Sequence, residues 1–102
     1  MPTPDDTTVQ HHAEACRFTL QTGGRPSELD YDLVHAADGS TVMRTLHTGV
    51  PPPLQGRGIA ARLVDAALAE ARAQGWKVRP LCSYVRSHMR RHPEFNDLLE
   101  PL

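Results

Sequence analysis

Six consecutive residues, Gln55-Gly56-Arg57-Gly58-Ile59-Ala60, have the types and spacing of an anion cradle. They follow Pro51-Pro52-Pro53 and precede an amphipathic stretch rich in alanine and leucine. The first amides of a helix lack intrahelical partners, and the helix dipole favours negative charge beside them. Gly56 and Gly58 carry no Cβ, so anionic oxygens can approach the backbone, and Arg57 adds a positive side chain. The same pattern suits a loop that only starts a helix. It lacks the Gly-Lys-Ser/Thr ending of a nucleoside-triphosphate loop and the third glycine of a dinucleotide fingerprint. A second reactive group is Cys82, directly before Ser83, the expected N-cap of a later helix. A thiol near a helix N-terminus has a lowered pKa; an inert buried thiol is the alternative. His47, just ahead of the proline run, is a candidate base or an ordinary strand histidine.

Other polar groups are weaker. His88 and His92 stand four apart, but HMRRH has no glutamate after the first histidine and no third ligand. His11-His12-x-Glu14-x-Cys16 reads as a solvated approach to the first strand, so no metal is expected. Arg86, Arg90 and Arg91 form a local basic patch, either a phosphate contact or a solvated helix face. Asp30 and Asp32 face outward on a strand, to attract a cationic group or simply to aid solubility.

The elements that must position these groups follow from periodicity. Residues 17–21 alternate as a short strand, Gly23-Gly24 marks a turn, and residues 27–35 alternate Leu29, Tyr31 and Leu33 against Asp30 and Asp32. Asp38-Gly39 signals a hairpin, and residues 41–50 form one long strand or two, bent near Thr45. Residues 56–75 form a helix with Ala60, Leu63, Val64, Ala67, Leu68 and Ala71 on one arc, stopped by Gly75. A short strand over 76–81 and a second helix from Ser83 to about Arg91 complete the order. Hairpins followed by a crossover helix predict an α/β (α+β) domain with a mixed, mostly antiparallel twisted sheet and two helices, in the order β-β-β-(β)-α-β-α.

The chain has 102 residues, with Lys+Arg 11 against Asp+Glu 12 and two cysteines. The Pro-, Asp- and Thr-rich start predicts a disordered tail over 1–10, and the length one domain over 11–102. A net charge of -1 supplies no field to gather nucleic acid or an anionic membrane, and an aromatic content of 5% gives no stacking platform. No apolar run reaches membrane-spanning length, and the acidic start is unlike a signal peptide. A cytoplasmic monomer with two unbridged thiols is the expectation.

Three blocks together carry a resemblance. Gln55-x-x-Gly58-x-Ala60 fits the acyl-CoA pyrophosphate loop of the GNAT N-acetyltransferase superfamily. His47-Thr48-Gly49-Val50-Pro51 is similar to the H-T-x-V-P of its short stand-alone N-acetyltransferase-like domains. Cys82-Ser83-Tyr84-Val85, followed by His92-Pro93-Glu94-Phe95, resembles their C-S-Y-V and H-P-E-[YF]. The likeness runs over residues 9–99; one departure is Gly49, where relatives often carry a glutamate.

The resemblance implies acetyl-CoA as acyl donor, a primary amine of unknown identity as acceptor, and a sheet in which two parallel strands splay around the pantetheine arm. It places that arm against backbone near Val50, the pyrophosphate on Gln55, Gly56, Arg57, Gly58, Ile59 and Ala60, and His88 beside the arm's other flank. It gives His47 and Cys82 catalytic roles in a shared cleft. Either Cys82 takes the acetyl group with His47 as base, or His47 deprotonates the amine while Cys82 protonates the leaving thiolate. Tyr84 is a second candidate acid. A non-catalytic acyl-CoA-binding module is the alternative, and an interaction domain without either ligand the third.

Overall fold

The computed structural model describes residues 8–101. Strand β1 is Gln10–His12, β2 Arg17–Thr22, β3 Arg25–His35 and β4 Thr41–Gly49. Helix α1, Ile59–Gln74, leads to β5, Lys77–Pro80, and α2, Ser83–Arg91. The sheet order is β1-β2-β3-β4-β5, antiparallel as far as β4 and parallel between β4 and β5. Among the described residues, no helix is long and apolar enough to cross a membrane.

The period-two pattern of β3 does what its residues dictate. Ser27, Leu29 and Tyr31 are buried, while Glu28, Asp30 and Asp32 point to the other face. Phe18, Leu20, Leu29, Tyr31, Met43 and Val78 pack against Leu63, Val64, Ala67 and Leu68 of α1 and against Val85 and Met89 of α2. Leu63 and Leu68 are fully buried, each stabilising the fold by about 1.5–3 kcal/mol. The opposite sheet face is charged. Arg17 donates to Asp30 at 2.6 Å, Arg44 clasps Asp32, and Arg79 donates to Glu100 at 2.7 Å.

Three details differ from the sequence reading, and one, the irregularity beside Thr45, sharpens it. Positions 1–7 of the expected tail lie outside the described residues, and Gln10 opens β1, pairing with Thr19. This strand escapes the periodicity because it has three residues and no alternation; His11 holds it by stacking on Phe18 and by a 2.6 Å hydrogen bond to the Tyr31 hydroxyl. The segment 41–49 is one strand, but Tyr31 faces Thr45 while Asp30 faces His47, so Leu46 is an extra residue without an opposite. Helix α1 begins at Ile59, later than Gly56, because Gly58 is its N-cap in the left-handed region at φ 78. Finally, Cys82 occupies the N-cap of α2 and Ser83 its first helical position, with no side-chain capping bond.

Candidate active site

The glycine loop forms because β4 runs out of partners. After Gly49 the chain enters three prolines, which donate no N–H to a ladder, and Pro52–Leu54 folds into one 3-10 turn. Leu54 anchors that turn in the core. Gln55 donates its side-chain amide to the Val50 carbonyl at 3.1 Å, pinning the loop to the end of β4. Gly58 then reverses the backbone, and the Arg62 amide closes the first helical turn onto the Gly58 carbonyl at 3.1 Å. The amides ahead of Arg62 have no place in that ladder.

A cleft of about 390 Å³ opens here. Of the residues assigned from the sequence, Val50, Gln55, Gly56, Gly58, Ile59 and Ala60 line it. A Cβ built on Gly56 or Gly58 meets nothing within 4 Å, so the backbone of both faces open space. Thr48, Leu54 and Tyr84 complete the lining. Arg57 is exposed on the same loop, outside the lining.

Beyond the register pair Thr45–Pro80, one more bond joins the parallel strands, from the Cys82 amide to the Thr45 carbonyl at 2.8 Å. Cys82 lies where the ladder ends, with its sulfur 3.6 Å from the Thr48 hydroxyl. Burial pushes this thiol up. The Val85 backbone, the Thr48 hydroxyl, and the backbone of Tyr84 and Thr48 more than offset that, leaving its pKa below the ordinary thiol value. Two of these groups, the Val85 and Tyr84 backbones, belong to the first turn of α2, and the Thr48 groups belong to β4.

His47 and Cys82 are not brought together in the way expected. Thr48 stands opposite Leu29 on the helix-covered face and meets Cys82. His47 stands opposite Asp30 on the charged face, 61% exposed, with Nε2 3.9 Å from Glu28 Oε1. His88 is also elsewhere. It is buried between the helices, hydrogen-bonded to Asp65 of α1 at 2.8 Å and packed beside His92 and Phe95. Thr48 was missed as a site residue because its face depends on the extra residue at Leu46. The alternation counted from Thr45 does not carry past that bulge.

His11 and His12, neighbours in a strand, turn to different partners, Tyr31 and Thr19. No three metal-ligating side chains converge among the described residues.

A mixed sheet whose last two parallel strands part beside a glycine-opened helix defines an acetyltransferase type of fold, and the comparisons agree. The family model of the GCN5-related N-acetyl-transferase matches residues 17–98. The chain belongs to this family. No curated protein sequence matches the chain. Among solved structures, a GCN5-like candidate N-acetyltransferase from Staphylococcus aureus is similar, with TM-score 0.70 and 20% identity over 95% of this chain and 91% of that one. A ribosomal-protein-alanine N-acetyltransferase from Brucella melitensis biovar Abortus gives TM-score 0.59 and 17% identity over 84% of this chain. An aminoglycoside acetyltransferase from an uncultured soil metagenomic sample gives 0.62 and 12% over 84%. The chain spans 63% and 59% of those last two proteins. At these identities the likeness is one of fold.

Proposed function

We propose that the protein is an acyl-CoA-dependent N-acyltransferase that moves the acetyl group of acetyl-CoA to a primary amine. One observation carries the reading. A single cleft joins the glycine-opened start of α1 to Thr48, whose hydroxyl touches the depressed thiol of Cys82. The open space beside Gly56 and Gly58 fits a diphosphate, with the amides at Ile59 and Ala60 and the exposed Arg57 as its partners. Val50 and Leu54 supply apolar wall for the arm.

The bound donor supplies an activated acetyl thioester. Cys82, favoured as thiolate by the α2 amides and Thr48, attacks the carbonyl carbon, and the C–S bond to CoA breaks. The amine then takes the acetyl group from Cys82. His47, on the other face of β4, serves the amine side of this exchange and does not deprotonate Cys82, which Thr48 already attends.

Intact-mass analysis after acid quench tests this. Protein mixed with acetyl-CoA and no amine gains one acetyl group, and the Cys82→Ala variant gains none while keeping its thermal shift with CoA. Thiol release with an amine but no adduct on Cys82 would leave direct transfer as the route. Binding without thiol release against any amine would leave a CoA-binding module.

A further inference from the structure

Resting on that reading, we propose that the acceptor is a primary alkylammonium ion arriving on the charged face of the sheet, where Glu28 holds it and His47 takes its proton. The three carboxylates of β3 on this face are not equivalent. Asp30 is held by Arg17 and Asp32 by Arg44. Glu28, at the end of the row beside the parting of β4 and β5, has no such clamp among the described residues. Arg17 is near enough to feel its charge but is committed to Asp30. Also facing Glu28 are Thr19, its register partner on β2, which is hydrogen-bonded to His12, and the His47 ring, at 3.9 Å, longer than a hydrogen bond.

Gly49 makes the arrangement possible. A Cβ at this position would stand 3.0 Å from both Glu28 Oε1 and His47 Nε2. The carboxylate and the imidazole therefore converge over bare backbone, between Thr48 in β4 and Val50 just past its end, both of which line the donor cleft. The acceptor's hydrocarbon part has a surface too. Leu46 and Leu81, the residues that follow the last paired positions of β4 and β5, are 42% and 46% exposed. An amine on an alkyl stem matches this combination of a free carboxylate and an apolar lip.

The chemistry balances. The ammonium gives one proton to His47 Nε2, and the resulting imidazolium faces the Glu28 carboxylate. The amine lone pair forms a C–N bond to the acetyl carbon, and the C–S bond to Cys82 breaks with its electron pair on sulfur. The second amine proton neutralises the CoA thiolate released earlier, and His47 returns its proton to solvent. The net products are amide, CoA thiol and one proton.

The test uses the full chain with n-hexylamine, cationic near neutral pH, and aniline, largely neutral there. Glu28→Gln is expected to lower kcat/KM for hexylamine by about ten- to a hundredfold, with little change for aniline or for the KM of acetyl-CoA. Glu28→Asp restores part of the loss. Gly49→Ala, which crowds both groups without removing either, lowers hexylamine turnover without lowering Tm. Independently of turnover, hexylammonium raises the Tm of the wild type and not of Glu28→Gln. Equal losses for both amines in Glu28→Gln, or no hexylammonium shift in the wild type, would overturn the proposal while CoA binding and Cys82 acetylation still stood. Absence of those last two would instead overturn the underlying reading.

Discussion

Gly58 and Gly75 bracket α1 with nearly the same backbone, φ 78 and φ 75, and a Cβ at either meets nothing within 4 Å. This makes a matched pair of substitutions. Alanine in the left-handed region costs about 1–2 kcal/mol, which lowers Tm by about 4–16 °C for a domain of this size. Gly58→Ala and Gly75→Ala should share that loss. Only Gly58 lines the cleft. If its methyl group displaces one charge-assisted hydrogen bond between the loop and a phosphate, about 1.5–3 kcal/mol of binding goes, or ten- to a hundredfold in Kd. CoA at a hundred times the wild-type Kd stabilises by about 2.7 kcal/mol. The same concentration would stabilise Gly58→Ala by only about 0.4–1.4 kcal/mol, and Gly75→Ala by the full wild-type amount. Thermal shift with and without CoA, on the three proteins side by side, reads this directly. Equal ligand shifts in both variants would refute the cradle, because strain alone would then explain everything the Gly58 change does.

Further outcomes follow from the same geometry. Thr48→Val removes one of the bonds that lower the Cys82 thiol, so the pH midpoint of its alkylation by iodoacetamide should move upward. The depressed thiol adds stability above its unfolded pKa, and that contribution is lost as pH falls through the lower folded value, so Thr48→Val should also reduce the gain in Tm across the alkaline side. His88→Ala, which breaks the Asp65 bond and leaves a cavity between the helices, should cost about 2–4 kcal/mol by urea denaturation. Thr45 and Ser27 bury hydroxyls without partners among the described residues; Thr45→Val and Ser27→Ala should each raise stability by about 1 kcal/mol or leave it unchanged, measured the same way.

The elements with strong local grammar were legible without coordinates. The alternation in β3, the apolar arc of α1, Gly75 as its stop and the proline run after β4 each fix their element through neighbouring residues alone. Most of the cleft lining was legible for the same reason, since the loop and the helix start are contiguous. What failed to show was whatever depends on register. Leu46 shifts every later side chain of β4 by one face, so the partner of Cys82 is Thr48 and that of His47 is Glu28. His88 sits on an apolar arc with Val85 and Met89, and only the packing of α2 against α1 decides that it answers Asp65 and stays off the cleft. The strand β1 was hidden because it is held by a tertiary stack onto Phe18, with no pattern of its own.

The parallel pairing of β4 with β5 is short, covering positions 42–45 and 77–80, and it closes only after the whole of α1 intervenes. The antiparallel meander before it pairs neighbours in sequence, whose loops are cheap to close. Refolding should therefore nucleate in β2, β3 and β4, with β5 docking after the rate-limiting barrier. Substitutions at Val78 should then accelerate unfolding and barely slow folding, whereas those at Leu29 should slow folding. The gap between β4 and β5 would thus be the last region to assemble and the first to loosen.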